Sequence, residues 1–253
     1  MEITYLKISG WDGAIRSMYM SLGNYTPELE NTLKLCHAIE EYKDSMKMAP
    51  NAIPSDSVSA LVSFDDIMSW YEQEKQKVIK FGSKHITLLR YLDITMTVKG
   101  LHRGAQDDFD AHAERFDNRI VRMSTRTKNN ENIIELSDYY KGKVLSFVDI
   151  NDAITLPATI EKSGEIYRKT SLGYVNEKYL DDKDVRRGLI PLAIASTFTV
   201  KVQITEYCHV VRERNSGGNA HPELKQLIEM SIPLIEEQVP EFNREFFMTQ
   251  CIQ

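Results

Sequence analysis

Residues 187–200 read RGLIPLAIASTFTV, and residues 201–214 continue directly as KVQITEYCHVVRER. The first run is largely apolar, which is typical of a buried segment, whereas the second shows the apolar spacing of a helix from about Val202 to Arg214. A further helix is predicted from Pro222 to Val239, after the polar loop that begins at Asn215. This part of the chain is therefore predicted to be a buried segment followed by two helices.

The N-terminal part of the chain predicts a strand, two helices and a second strand, in that order. Residues 3–8, ITYLKI, alternate apolar and polar side chains before Gly10. Thr26 and the proline after it predict the start of a helix that ends near residue 48, and a second helix is expected from Ser55 or Asp56 towards residue 82. Residues 85–100, HITLLRYLDITMTVKG, are rich in β-branched side chains and predict a strand.

A helix dense in charge is predicted over residues 102–126. If this helix is continuous, the spacing of its arginines brings four guanidinium groups to one face, those of Arg115, Arg119, Arg122 and Arg126. Such a face either attracts an anion or is a solvated surface paired with neighbouring acids such as Asp107 and Asp108. Residues 127–183 follow as a β-rich insert with predicted hairpins, one of which turns at Ser163 and Gly164.

Composition limits the class of protein. The 253 residues, 42% of them apolar and 27% charged, predict a single globular domain over residues 1–253. The formal net charge of −6 argues against a dedicated nucleic-acid or membrane-surface protein, since those need a net basic face. No run approaches the length of a membrane span, so we expect a cytoplasmic protein. Three widely separated cysteines indicate neither disulfides nor zinc.

The residues that offer chemistry are separated arginines and a few histidines. Ser124 lies two residues before Arg126, a spacing in which hydroxyl and guanidinium can share a phosphate. His209 and Arg214 lie on one predicted helix before a Gly-Gly loop, where a ligand can approach the backbone. His209 is open to two interpretations, a ligand contact or a core histidine, and no metal-binding set surrounds it. The sequence lacks the common dinucleotide, P-loop, hydrolase and metalloprotease motifs.

Several of these segments resemble the flavin-dependent thymidylate synthases. The arginine at 187 with the Leu-Ile-Pro-Leu after it, the helix that ends at Arg214, and residues 219–224, NAHPEL, are similar to consecutive motifs of that family. His85-Ile-Thr87 looks like its His-x-Thr, and Ser124-Thr-Arg126 looks like the Ser-x-Arg that ends its RHRxxSxNxxSxR signature. His112 and Asn118 then fall on the histidine and asparagine of that signature.

The resemblance implies a fold of the thymidylate synthase-complementing type, α/β (α+β), with a central mixed sheet flanked by helices. It implies methylation of dUMP to dTMP with FAD as cofactor, methylenetetrahydrofolate and NADPH as co-substrates, no metal, and a homotetramer. Arg187 and Arg214 would stabilise charge on the uracil as catalytic residues. The dUMP contacts that it implies are Ser124, Arg126, Arg187 and Arg214. The flavin or folate contacts that it implies are His85, Thr87, His112, Asn118, Gln203 and His209.

This sequence departs from the family at three arginine positions. The family's RHR triplet is Ala111-His112-Ala113 here, and its Asn-x-Arg is Gln203-Ile204-Thr205. Arg115, Arg119 and Arg122 are candidate substitutes for the lost charges. Two alternatives keep the fold, namely a related pyrimidine-nucleotide enzyme such as a hydroxymethylating relative, and a catalytically silent dUMP-binding homologue that has lost FAD. A nucleic-acid-binding module is a further alternative, which the net charge opposes.

Overall fold

The computed structural model describes residues 1–48, 58–112, 119–122, 135–140, 156–170, 172–182, 185, 189, 192–215 and 221–249. Within these ranges, the side chains of residues 43–48, 58–63, 110–112, 119–120 and 215 are not described. The chain divides into two compact units. The first contains residues 1–7, 94–202 and 206–248, and the second contains mainly residues 8–93 with 203–205.

A four-stranded sheet forms the centre of the first unit. Its strands are β1 (Glu2–Ser9), β2 (Asp93–His102), β3 (Arg119–Arg122) and β7 (Ala195–Gln203), and they lie in the order β1-β2-β7-β3. β3 pairs antiparallel with β7. Between β2 and β7, the hydroxyl oxygens of Thr97 and Thr199 are 2.9 Å apart.

One face of this sheet is buried because its side chains alternate. Ile94, Met96 and Val98 of β2 are fully buried, and the residues between them are only partly buried. β7 repeats the pattern, and its Phe198 packs against Phe109 with ring centroids 6.1 Å apart. Phe109 belongs to the helix that directly follows β2. The alternation therefore determines which face of the sheet receives a helix.

Four helices complete the main part of the first unit, namely α4 (Arg103–His112), α5 (Ile204–Asn215), α6 (Pro222–Gln238) and α7 (Arg244–Thr249). The buried Tyr207 of α5 forms a hydrogen bond with Ser231 of α6 and an edge-to-face ring contact with Phe247 of α7. Helices that pack on a central sheet confirm the α+β class, and α5 and α6 confirm the two helices predicted near the C-terminus.

A second, three-stranded sheet also belongs to the first unit. It contains β4 (Thr159–Lys162), β5 (Glu165–Thr170) and β6 (Gly173–Asn176), and both of its pairings are antiparallel. The turn between β4 and β5 is Ser163-Gly164, both with positive φ, at 56° and 78°. The hairpins predicted within residues 127–183 are thus confirmed where that region is described.

The second unit is helical and contains α1 (Trp11–Ser21), α2 (Pro27–Met48), α3 (Val58–Gly82) and a 3-10 helix (Ile86–Tyr91). The Thr26 hydroxyl accepts a hydrogen bond from the Leu29 amide at 3.2 Å, which confirms the predicted start of α2. Within the unit, the buried Tyr71 of α3 donates a hydrogen bond to Asp12 Oδ1 of α1 at 2.5 Å.

Three predictions about these elements are wrong or incomplete. The strand expected over 85–100 starts only at Asp93, because Leu88 and Leu89 are buried in a 3-10 helix. The continuous helix over 102–126 is also wrong, since α4 ends at His112 and Arg119–Arg122 form β3. Helix α1 was not predicted, although Trp11, Ala14, Ile15 and Met18 bury one helical face.

The cysteines differ from one another in state. Cys36 is a free, fully buried thiol, and burial is the main cause that raises its pKa to about 11. Cys208 of α5 is buried and disulfide-bonded. The expectation that the chain has no disulfide is therefore wrong at Cys208. Among the described helices, none combines the length and apolar character needed to cross a membrane.

Gly10 and Gly23 provide a matched test of the second unit. Both have a left-handed backbone, with φ of 93° and 71°. A Cβ at Gly10 would lie 1.9 Å from the Tyr91 carbonyl oxygen, whereas a Cβ at Gly23 would meet nothing within 4 Å. We expect Gly23→Ala to lower the free energy of unfolding by about 1–2 kcal/mol through backbone strain alone. Gly10→Ala should cost about 1–3 kcal/mol more, because a rigid backbone atom must move. Chemical denaturation of both variants measures the difference, and equal losses would contradict the contact between Gly10 and Tyr91.

Candidate functional site

Arg214 lies in the last turn of α5 and is only 9% exposed. One of its terminal nitrogens is 3.5 Å from Asp108 Oδ1 and 3.5 Å from the Asp108 carbonyl oxygen, so its pairing with α4 is long. Its Nε is buried and has no hydrogen-bond partner among the described residues. A guanidinium group has five donor hydrogens and is costly to bury with few acceptors. Arg214 therefore retains the capacity to bind an anion.

A second arginine contacts the same helix, α4, through neighbouring residues. Arg122 of β3 donates to Asp107 Oδ1 at 2.6 Å and to the Gln106 carbonyl oxygen at 3.2 Å. The arginine face predicted on a continuous helix is wrong for this residue, since Arg122 belongs to a strand. Its ion pair agrees with the alternative interpretation, in which the arginines are paired with neighbouring acids. Arg122 is thus already paired with residues of α4, so it is a poor substitute for an arginine that would contact the cofactor.

Most of the predicted nucleotide contacts lie outside the described residues. These are Ser124, Arg126 and Arg187, and the same is true of Asn118, Ala113 and Arg115. His112 is the last residue of α4, but its side chain is not described. Arg214 is therefore the member of the predicted dUMP set whose surroundings are known.

The remaining predicted flavin contacts are spread over several elements. His85 precedes the 3-10 helix and Thr87 lies within it, and both are exposed. Gln203 is the last residue of β7, and His209 lies on α5, both partly buried. His85, Thr87 and Gln203 belong to the second unit and His209 to the first. Their role in binding flavin stays a prediction.

A cluster of buried polar residues was not predicted as a site. His102 is the last residue of β2, His221 immediately precedes α6, and Glu223 lies in the first turn of α6. His102 and Glu223 are each 3% exposed. Glu223 Oε2 accepts a hydrogen bond from the His102 amide at 3.2 Å and a second, short one from His102 Nδ1. We call these three residues the His–Glu cluster.

The hydrogen bonds of the cluster identify the protonated nitrogens. Burial is the largest single effect on Glu223 and raises its pKa, but hydrogen bonding to His102 and the smaller effects of neighbouring groups together outweigh burial. The pKa of Glu223 is therefore lowered, so its carboxylate is ionised at neutral pH and can only accept. His102 Nδ1 therefore carries the proton that it donates. The Glu223 amide donates to His221 Nδ1 at 3.2 Å, so this nitrogen has a lone pair. In the neutral ring, the proton is then on His221 Nε2.

Two tyrosines enclose the cluster. The segment that carries them lies beside the start of β7, where Leu136 forms an antiparallel bridge with Ile194. The Tyr140 hydroxyl is 3.0 Å from His221 Nε2, and the Tyr139 ring packs edge-on against His221 with centroids 4.9 Å apart. Burial, and then the charge of Glu223, raises the pKa of Tyr140, so its hydroxyl stays neutral at physiological pH.

The spacing of these residues in the sequence does not indicate that they form a cluster. His102 and Glu223 are 121 positions apart, and only the fold brings them together. The local sequence His221-Pro-Glu223 reads as a helix start, with a capping side chain, proline in the first turn and an acid near the positive helix end. A further signal is Gly104, where a Cβ would approach His102 Nε2 to 3.0 Å. The absence of a side chain at Gly104 thus leaves room for the His102 ring.

Comparison with known proteins finds only a weak structural similarity. No protein-family model matches the sequence, and no curated protein matches it. One solved structure that it resembles is the flavin-dependent thymidylate synthase ThyX from Helicobacter pylori complexed with FAD and dUMP, with a TM-score of 0.49 and 13% identity over 100% of both chains. Another structure of ThyX from that organism with FAD and dUMP gives 0.46 and 12% over 100% of both chains. At these values, no residue role is transferred from either structure.

Glu223→Gln tests the energetic role of the His–Glu cluster. The variant removes a buried charge-assisted hydrogen bond, so we expect a loss of about 1.5–3 kcal/mol in the free energy of unfolding at pH 7. Because the folded pKa of Glu223 is lowered, its contribution is complete above the ordinary glutamate pKa and is lost as the pH falls through the folded value. The gap between wild type and variant should therefore narrow in acid. Glu236→Gln, an exposed change on the same helix, is the control. A gap that widens in acid would exclude the ionised state assigned to Glu223.

Proposed function

We propose that this chain binds dUMP or a related pyrimidine nucleotide through Arg214 and acts as a flavin-dependent enzyme that methylates dUMP to dTMP. The observation that carries the proposal is the state of Arg214, a nearly buried guanidinium group with one long ion pair and no partner for Nε among the described residues. A nucleotide phosphate, or a uracil oxygen that gains negative charge, would supply the acceptors that this group lacks. The similarity of the helix that ends at Arg214 to a family motif supports the same role.

The remaining parts of the proposal follow the sequence resemblance. Ser124, Arg126 and Arg187 would complete the nucleotide site, with Arg187 and Arg214 stabilising negative charge on the uracil. FAD, when bound, supplies the redox chemistry, while methylenetetrahydrofolate supplies the carbon and NADPH the reducing equivalents. We further propose a single domain over residues 1–253, a homotetramer and a cytoplasmic location. Light scattering of the purified protein would measure the number of subunits.

The flavin positions fit the cofactor less well than Arg214 fits the nucleotide. Of the three positions where the family has arginine, Thr205 is the one whose side chain is described, and it is a partly buried hydroxyl without charge. Each lost charge-assisted contact costs about 1.5–3 kcal/mol, so FAD must gain other contacts to bind. Arg122 cannot readily supply them, because it is already engaged with Asp107.

This observation favours a second candidate function, a dUMP-binding homologue that has lost FAD and is catalytically silent. Such a protein would use Arg214 in the same way and would need no charge at Thr205. A hydroxymethylating enzyme is a further alternative that keeps the nucleotide site and changes the product. These possibilities differ in flavin content and in product, which are both directly measurable.

The contribution of Arg214 can be measured by substitution. Arg214→Ala should weaken dUMP binding by about 10- to 100-fold, since it removes a charge-assisted contact worth about 1.5–3 kcal/mol. Arg214→Lys keeps the charge and most of the packing but loses the planar fork, so it should bind dUMP more weakly than wild type while remaining folded. Arg90→Ala, an exposed arginine, is the control. Calorimetry measures the affinities, and wild-type affinity in a folded Arg214→Lys variant together with Arg214→Ala would refute the assignment.

The flavin can be tested by the absorbance spectrum of the purified chain before and after addition of FAD and dUMP. A flavin enzyme should show bound-flavin absorbance and, with methylenetetrahydrofolate and NADPH, form dTMP. A hydroxymethylated nucleotide would identify the related reaction instead. Tight dUMP binding with neither flavin absorbance nor a thermal shift on addition of FAD would identify the silent homologue and exclude the flavin-dependent reaction.

A further inference from the structure

We propose that His102, His221 and Glu223 bind one divalent transition-metal ion of the zinc class. One ligand atom from each residue lies within 4.8 Å of the other two. Two imidazoles and one carboxylate form a donor set that zinc uses in sites where a fourth position is left for water or substrate. The proposal does not depend on the nucleotide site, since none of the three residues belongs to the predicted dUMP or flavin contacts.

The hydrogen bonds of the cluster indicate which atoms would coordinate the ion. Both Nδ1 atoms face Glu223, because His102 Nδ1 donates to Glu223 Oε2 and His221 Nδ1 accepts from the Glu223 amide. We assign these two nitrogens and Glu223 Oε2 as the ligands. The ion would replace the proton between His102 Nδ1 and Glu223, and this proton would move to His102 Nε2 so that the ring stays neutral. The ion would also take the His221 lone pair from the amide. Because protons compete with the ion for both imidazoles and the carboxylate, metal affinity should rise with pH.

Tyr140 prepares His221 for this role. Its hydroxyl is 3.0 Å from His221 Nε2, and the proton on that nitrogen leaves Nδ1 free of a proton. A ligating histidine usually has its other nitrogen fixed by a hydrogen bond of this kind, which sets the tautomer and orients the ring. His221 therefore already has the tautomer that coordination through Nδ1 requires.

Burial and charge at the cluster also fit a cation. His102 and Glu223 are almost fully buried, while His221 is partly exposed and leaves a path from solvent. The start of α6 has a partial positive charge of about half an elementary charge, which opposes a cation. Glu223 lies in that first turn and carries a full negative charge in direct contact with the proposed position. The nearest charge is thus negative and larger than the helix contribution.

Cobalt(II) is a suitable probe because tetrahedral coordination produces visible absorption bands. The full chain, treated with a chelator and dialysed, is titrated with Co²⁺ in the absence of nucleotide, and Zn²⁺ is then added as a competitor. We expect one Co²⁺ per chain and complete displacement by Zn²⁺. Failure of the wild-type chain to bind either ion would overturn the proposal, while dUMP binding through Arg214 would be unaffected by that result.

Three variants locate the site, with a fourth as control. His221→Asn keeps a side chain that caps α6 but removes the imidazole, so it should lose most of the Co²⁺ absorption while remaining folded. Glu223→Gln should also lose binding. Tyr140→Phe keeps all three ligands and should weaken binding by about 10- to 100-fold. His37→Asn changes an exposed histidine of the second unit and should bind as wild type does.

Folding and binding are separated by recording circular dichroism and the melting temperature of each variant. Wild-type affinity in His221→Asn would place the ion elsewhere and overturn the proposal. If His221→Asn is unfolded, Tyr140→Phe decides the matter, since it leaves the helix cap and the ligands intact. Unchanged metal affinity in a folded Tyr140→Phe variant would then count against the coordination assigned to His221.

Discussion

β2 and β7 pair at the centre of the four-stranded sheet, and each strand continues into a helix without an intervening loop. The Arg103 amide donates to the Ile194 carbonyl at one end of the pair, and the Ile204 amide donates to the Leu92 carbonyl at the other. These bonds make the two strands antiparallel and fix where α4 and α5 begin. Because α4 and α5 start from opposite ends of the pair, the register between β2 and β7 determines which residues of α4 and α5 can contact each other.

The residues of chemical interest depend on this register. α5 has 12 residues and is about 18 Å long, so its last turn reaches back along the sheet to the middle of α4, where Arg214 meets Asp108. His102 occupies the last position of β2 and lies against the start of α6. The two groups of residues differ in their hydrogen bonding. Arg214 has a buried N–H donor, at Nε, without an acceptor among the described residues, whereas His102 and Glu223 are hydrogen-bonded to each other. An anion suits the first environment and a cation the second.

Local patterns predicted the elements whose signals are contained in a few neighbouring residues. Thr26 and Pro27 marked the start of α2, and the sequence before Arg214 indicated α5. Residues 119–122 were assigned to a helix because their arginines follow helical spacing, yet pairing with β7 makes them a strand. Tertiary contacts outweighed local preference there. α1 was missed because the residue before it, Gly10, has no side chain to cap the helix, although the apolar spacing of α1 was present.

The candidate site shows the same difference between residues that local sequence indicates and residues that only the fold brings together. Arg214 was identified from its own segment, through the resemblance and its position before a Gly-Gly loop. The His–Glu cluster joins residues 121 positions apart, and no pattern within either segment links them. His102 follows a strand and Glu223 opens a helix, so each residue has an ordinary structural explanation when it is considered alone. Their chemical significance comes from the fold, which places the two side chains in one buried contact.

The direct junction between β7 and α5 limits how this chain can change during evolution. A single residue inserted between Gln203 and Ile204 would rotate α5 by about 100° about its axis, because each helical residue advances the chain by that angle. The buried Tyr207 would leave the core, and Arg214 would turn away from Asp108. A change in length at this junction would therefore displace the buried residues and Arg214 together, which no single substitution does. Relatives of this chain should preserve the number of residues between β7 and Arg214 more strictly than their identity.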